Sequence, residues 1–301
     1  MKHKHFLSLK DYSESELLEL IKSAQHIKKF PNKYSTMLKG KVLLLMFAKP
    51  SLRTRISFEV GMMQLGGHSI YYDLGSSTLQ KGESIHDMAK TSSRYIDLIA
   101  ARLYAHEEIL TLSKYADVPV INALTDFTHP CQILSDFLTI LEKRKRLKKL
   151  KLTFLGDCHN NITHSLMYGC TKLGIDLTIS CPNKKEYMPD PKVAKETKFK
   201  LIHDPKKAVI DSDIIYTDTW MSYQVPESEM KKRVKDFKPY QVNSSLMAIS
   251  PRALFMHNLP EKLGYEVTEK VSYGSRSIIF DQAHNRLFAQ KAIMLKLMGK
   301  I

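Results

Sequence analysis

Short apolar runs and longer amphipathic runs alternate along the whole chain, and this alternation restricts the fold more than any other feature. Residues 41–48, 69–73, 98–102 and 118–122 read as strands, with helices over 55–65 and 130–145. Ser13 followed by Glu16 reads as the capped start of an earlier helix. The pattern then restarts. Residues 150–156, 176–180, 212–217, 253–257 and 277–280 read as strands, with helices over 161–173 and, at the end, 285–298. Strands that alternate with helices form parallel sheets covered on both faces. The expected architecture is α/β: two doubly wound parallel-sheet domains joined by helices, with the C-terminal helix packing back on the first. The domains are expected over 1–145 plus 285–301, and over 146–284. A length of 301 residues with 43% hydrophobic residues suits two such cores.

Other classes fit less well. No apolar run approaches the roughly 20 residues of a membrane span, and the basic N-terminus leads into no signal-peptide core. Cytoplasm is the expected compartment. The four cysteines form no C-x-x-C pair and the histidines no ligand spacing, so reduced thiols and no metal are expected. The formal charge of +15 predicts attraction to anions. Its densest cluster, 143–151, has no aromatic residues interleaved for base stacking. It reads as a helix end and linker rather than a nucleic-acid surface.

In parallel sheets, ligands sit at the carboxyl ends of strands, and the unusual residues of this chain fall there. Lys49-Pro-Ser-Leu-Arg-Thr-Arg55 follows the first strand. Free backbone N–H groups at a helix start, hydroxyls at Ser51 and Thr54 and the Arg53 guanidinium would cradle a phosphate dianion. A plain capped helix start is the other reading. Arg102 ends an apolar strand, and there it faces solvent or a ligand. Thr128-His-Pro-Cys-Gln132 places His129 just before a helix opened by Pro130. His129 and Gln132 could polarise a carbonyl and accept from an amino group, or serve as a cap and a solvated helix residue.

The second half repeats the arrangement. Gly156-Asp-Cys-His-Asn-Asn161 is a strand-to-helix turn without G-x-G-x-x-G, which argues against a nicotinamide cofactor. Asn161 there would hold a carboxylate or act as an N-cap. Asp218, in Thr217-Asp-Thr-Trp-Met-Ser222, suits an ammonium group. His257-Asn-Leu-Pro260 ends another strand, and Asp281-Gln-Ala-His-Asn-Arg286 delivers an arginine to the final helix.

Taken together, S-x-R-T-R, H-P-x-Q, G-D-x-x-N-N, D-x-W-x-S, H-x-L-P and N-R resemble, in order and spacing, the ornithine carbamoyltransferases, which belong with the aspartate carbamoyltransferases. The resemblance spans nearly the whole chain. It implies a carbamoyl-phosphate domain followed by an amino-acid domain, a homotrimer with sites between subunits, and no cofactor. It further implies that Ser51, the Leu52 N–H, Arg53 and Thr54 bind phosphate. Arg102 and His129 would polarise the carbamoyl oxygen, Gln132 and the Leu259 carbonyl would hold the carbamoyl NH₂, and Arg286 would complete the anion clamp. Asn161, Asp218 and Ser222 would grip the amino acid's α-groups.

Three positions depart from the family pattern. Asn258 replaces the cysteine of H-C-L-P. Tyr223-Gln224 replaces Met-Gly after D-x-W-x-S. The loop from Ser76 to Glu83 looks more like that of the aspartate enzymes, in which Ser77 and Lys81 would reach into a neighbouring subunit's site. Ornithine is the expected acceptor, with lysine, an N-acylated ornithine or putrescine left open by Asn258 and Tyr223. Outside this class stand a catalytically silent homologue and a nucleic-acid-binding protein. The first would have lost phosphate-cradle residues, and none is lost.

Overall fold

The computed structural model describes residues 3–75, 82–221 and 225–301. The chain divides into two compact units, residues 1–138 with 284–301, and residues 139–283.

Unit 1 is built from α1 (Glu14–Lys29), β1 (Val42–Phe47), α2 (Leu52–Gln64), β2 (His68–Asp73), α3 (Ile85–Ser92), β3 (Leu98–Arg102), α4 (His106–Tyr115), β4 (Val120–Leu124) and the start of α5 (Pro130–Arg144). The capping box expected at α1 is present: the Ser13 N–H donates to Glu16 at 2.8 Å and the Glu16 N–H returns a bond to Ser13 at 3.3 Å. The sheet is parallel in the order β2-β1-β3-β4. Phe6, fully buried, forms a parallel bridge to Ile121 on the far side of β4.

Unit 2 continues from α5 with β5 (Lys151–Leu155), α6 (Asn161–Leu173), β6 (Asp176–Ser180), α7 (Pro191–Glu196), β7 (Lys200–Leu201), α8 (Pro205–Ala208), β8 (Ile214–Thr217), α9 (Met230–Phe237), α10 (Ser244–Ile249), β9 (Leu254–His257) and α11 (Glu269–Ser272). Its sheet is parallel in the order β7-β6-β5-β8-β9. The last helix, α12 (Ile279–Leu297), ends the chain in unit 1. There it lies against α2: a Cβ added at Gly61 would stand 3.3 Å from Met294 and 3.5 Å from Leu287.

The elements depart from the sequence expectation in three places. Residues 277–280 form no strand. Ser277 makes a single bridge to Phe255 and the chain turns directly into α12, because a short apolar run, Ile278-Ile279-Phe280, suits the start of a buried helix as well as a strand. β7 was not expected, being two exposed residues without apolar alternation. The partition falls inside α5 rather than at the basic run. Residues 139–144 belong by their contacts to unit 2, where Arg144 donates to the Asp213 carbonyl at 2.8 Å.

The basic run is the end of α5 and the turn into β5, and much of it is paired. Lys143 meets Asp281 at 2.7 Å, Arg146 meets Asp213 at 3.3 Å and Lys151 meets Asp211 at 3.5 Å. Among the described residues no helix is long and apolar enough to cross a membrane.

Candidate active site

Both sheets reverse their strand order once, between β1 and β3 in unit 1 and between β5 and β8 in unit 2. At such a switch point the loops from the two strands diverge and leave a crevice. Several of the singled-out residues end or follow the strands there: Ser51, Arg53, Thr54 and Arg102 at β1 and β3 in unit 1, Asn161 and Asp218 after β5 and β8 in unit 2.

In unit 1, β1 runs straight into α2. Ser51 occupies the N-cap in extended conformation but makes no side-chain capping bond. The first turn of α2, with Leu52, Arg53 and Thr54, holds no acidic residue, so its amides and the helix dipole face the crevice uncompensated. Arg102 ends β3 opposite Phe47 of β1 and is 5% exposed. Thr54 is fully buried, and its hydroxyl accepts a bond from Arg286 Nη2 at 2.8 Å. Arg286 arrives on α12, which is how an arginine remote in sequence reaches this helix start. Burial pulls its proton affinity down to about 10, with the cations Arg102 and Arg53 adding to the effect and Cys131 and Asp136 opposing it. At neutral pH Arg286 remains charged, so three guanidiniums share one small region.

His129 stands just before α5 and is nearly buried. Burial first, then Arg286 and Arg102, hold its imidazole well below the usual histidine range. It is neutral at physiological pH and can donate one N–H without adding charge. Gln132, one turn into α5, donates from Nε2 to Asp136 at 2.9 Å. A carboxylate only accepts, so the Gln132 amide is oriented with its oxygen as the remaining acceptor.

The sequence reading gave no role to Lys49 or Asp136. Lys49 is buried with its ammonium 4.3 Å from the Tyr104 ring centre. Burial and Arg102 lower its proton affinity, against Asp126 and Glu108. Its place between a strand and Pro50 was the one available signal.

In unit 2, β5 enters its turn through Gly156 at φ +130°, a conformation essentially reserved for glycine. Asn160, not Asn161, is the N-cap of α6: its side chain accepts from the Thr163 N–H at 2.8 Å. Asn161 is therefore the first helical residue, its side chain not needed for capping. Asp218, after β8, accepts from the Thr219 N–H at 2.7 Å. Burial pushes its carboxyl up to about 6; His257, the Thr219 amide and the Asn258 side chain pull it down, and Glu266 pushes it up. Asn258 follows β9 next to β8, with Thr217 and His257 in register. Its hydrogen bond to Asp218 leaves Asn258 Oδ1 buried without a partner among the described residues.

His257 is fully buried. Its Nδ1 accepts from the Leu259 N–H at 2.9 Å, which leaves Nε2 carrying the proton, 3.3 Å from the buried Glu266. Leu259 holds φ at +55°. His257 and Glu266 were not assigned from the sequence. Ser77, Lys81, Ser222 and Tyr223 lie outside the described residues. Among the described residues no three histidine, cysteine or carboxylate side chains gather to hold a metal.

The unit 1 constellation can hold a polyvalent anion and polarise a carbonyl next to it. The unit 2 constellation can hold a carboxylate and an ammonium. The carbamoyl-phosphate-binding domain of aspartate/ornithine carbamoyltransferases matches residues 4–142, and the Asp/Orn-binding domain of the same family matches residues 148–297. The ornithine carbamoyltransferase of Thermococcus kodakarensis is 47% identical over 98% of this chain and 96% of that protein. A Pyrococcus furiosus relative named as an anabolic ornithine carbamoyltransferase is 45% identical over 98% of this chain and 96% of its own. Among solved structures, the ornithine carbamoyltransferase of Pyrococcus furiosus superposes with a TM-score of 0.92 at 45% identity, over 99% of this chain and 97% of that one. That of Thermus thermophilus gives 0.90 at 39% identity, over 98% and 99%.

Proposed function

This chain belongs to the aspartate/ornithine carbamoyltransferase family, and from that premise we propose that it transfers the carbamoyl group of carbamoyl phosphate to the side-chain amine of ornithine, giving citrulline and phosphate. The observation that carries this reading is the meeting of Arg53, Arg102 and Arg286 beside the uncharged His129: Thr54 accepts from Arg286, and burial first, then Arg102 and Arg53, pull the Arg286 proton affinity down. Three like charges, two of them buried and the third half-buried, suit a dianionic ligand.

In this reading Ser51, the Leu52 amide, Arg53, Thr54 and Arg286 hold the phosphate. Arg102 and His129 donate to the carbamoyl oxygen, where negative charge grows as the amine attacks; such preorganised donors are commonly the largest catalytic contribution. Gln132, with its oxygen held outward by Asp136, accepts from the carbamoyl NH₂, and the Leu259 carbonyl does the same. The attacking nitrogen forms its bond to the carbonyl carbon, the C–O bond to phosphate breaks, and the leaving phosphate can take the released proton. Asn161 serves the amino acid's carboxylate and Asp218, ionised above about pH 6, its ammonium. Ser222 and Tyr223 extend that set.

The relatives' names favour ornithine among the acceptors that Asn258 leaves open, and the anabolic name of one relative favours citrulline synthesis for arginine biosynthesis. We further place the enzyme in the cytoplasm as a homotrimer in which Ser77 and Lys81 serve a neighbouring subunit's site. Light scattering on the purified protein tests the assembly. The activity is tested by supplying carbamoyl phosphate with ornithine, lysine, N-acetylornithine, putrescine or aspartate and measuring the ureido product. Citrulline from ornithine alone is the expected result; product from another amine would reassign the acceptor, and none at all would overturn the proposal.

A further inference from the structure

Unit 2 contains a buried ion pair that none of the roles above uses. Arg233 of α9 is 5% exposed. Its Nε donates to the Trp220 carbonyl at 2.7 Å, and its Nη2 bonds the Asp157 carboxylate. The guanidinium also stands 5.1 Å from the ring centres of Tyr187 and of Phe237, and Phe237 in turn stacks on Trp220 at 5.8 Å.

The two anchoring points belong to different loops. Asp157 organises the turn between β5 and α6: its side chain accepts from the His159 N–H at 2.9 Å, and its carbonyl accepts from the side chains of Asn160 at 2.9 Å and Thr163 at 3.2 Å. That turn ends in Asn161. Trp220 lies in the loop after β8, two residues beyond Asp218. β5 and β8 are adjacent, with Leu155 and Thr217 in register, so one guanidinium ties together the loops that leave two neighbouring strands at the switch point.

A buried ion pair is a poor device for stability alone, because apolar side chains of the same volume commonly do as well. Its forked donors do something a methionine cannot: they hold two separate acceptors in one fixed relation. We propose that Arg233 is a positioning residue for amino-acid recognition, setting the relation between Asn161 and Asp218 without touching substrate. This rests on the reading that those two residues hold the α-carboxylate and α-ammonium groups.

The test compares the full-length wild type with Arg233→Met and Arg233→Lys, measuring KM for ornithine and for carbamoyl phosphate separately. Arg233→Met is expected to raise KM for ornithine about tenfold or more, with KM for carbamoyl phosphate within about twofold, as loss of a positional constraint predicts. Lysine, which keeps the charge but not the fork, should fall between. Trp220 is the chain's only tryptophan, so its fluorescence reports this loop directly, and ornithine titrations should weaken by the same factor as KM rises. If the methionine protein does not fold, the lysine variant decides. An unchanged KM for ornithine in the lysine variant, or both KM values rising in step, overturns the proposal. If the wild type makes no citrulline, the assignment of function falls instead. The inference about Arg233 then stands or falls on whether Arg233→Lys weakens the Trp220 titration by the amine that does react.

Discussion

Gln132 donates to Asp136 at 2.9 Å along α5, and this one bond decides which end of the glutamine amide is left to recognise a ligand. Asparagine at 136 can donate as well as accept, so Asp136→Asn removes the constraint. The expected result is a fall of about three- to tenfold in kcat/KM for carbamoyl phosphate, the size of one misoriented hydrogen bond. Inhibition by inorganic phosphate, which has no NH₂ to recognise, should not weaken, since losing the Asp136 charge leaves the Arg286 cation less compensated. Equal losses for both would show that Asp136 acts on the whole anion site.

His129 should not titrate in the physiological range, since burial and two arginines oppose its protonation. Its proton affinity in the folded protein lies below the unfolded value, so its contribution to stability is present above pH 6.5 and is lost as pH falls. NMR of the labelled ring should show an imidazole that stays neutral where an ordinary histidine, at 6.5, is already protonated. His129→Gln should lower kcat by about a hundredfold, as loss of a donor to a developing oxyanion does. A rate profile with a histidine-like step near 6.5 that vanishes in this variant would contradict the assignment.

Asp218 predicts the acid limb of activity. Its carboxyl protonates near pH 6 and then no longer holds an ammonium group, so KM for ornithine should rise as pH falls through that value. Asn258 lowers this proton affinity through its hydrogen bond, so Asn258→Ala should shift the limb to higher pH. The stability effect has the opposite sense. Burial raises the folded value above the ordinary 3.8, so ionised Asp218 costs folding free energy at pH 8 and nothing well below 3.8. Asp218→Asn should therefore gain up to about 3 kcal/mol at pH 8 by denaturant unfolding and little in acid. A loss at pH 8 would show that the Thr219 and Asn258 bonds outweigh burial.

Thr54 is the acceptor for a buried guanidinium, and Thr54→Val keeps the shape while removing the oxygen. An unpartnered Nη2 on Arg286 should cost about 1–3 kcal/mol. Saturating carbamoyl phosphate should recover part of that loss, because the ligand supplies the missing acceptor. Thermal unfolding with and without the ligand measures both effects. Equal ligand-induced shifts in wild type and variant would mean that Thr54 and the phosphate do not share Arg286.

The sheets were legible because nearly every strand is an apolar run, and most candidate site residues were singled out because they end or follow such a run; Arg286, carried on α12, is the exception. Arg102 and His129 needed no tertiary information to be singled out. Arg233 did: it sits among Lys231, Lys232 and Lys235, so it reads as one more solvated cation, while its partner Asp157 is 76 residues away. Two adjacent asparagines at 160 and 161 are likewise equivalent on paper. Only the backbone geometry of the helix start gives the cap to the first and releases the second.

Unit 1 is discontinuous, with Arg286 meeting Thr54 across 232 positions. On the ribosome, the first 138 residues can lay down their four-stranded sheet long before α12 exists. The anion clamp cannot close until the last residues have emerged. A chain truncated before 284 would thus keep every strand of the unit 1 sheet and lack the guanidinium from which Thr54 accepts, so whatever stability an anion lends through Arg286 is open only to chains made through α12.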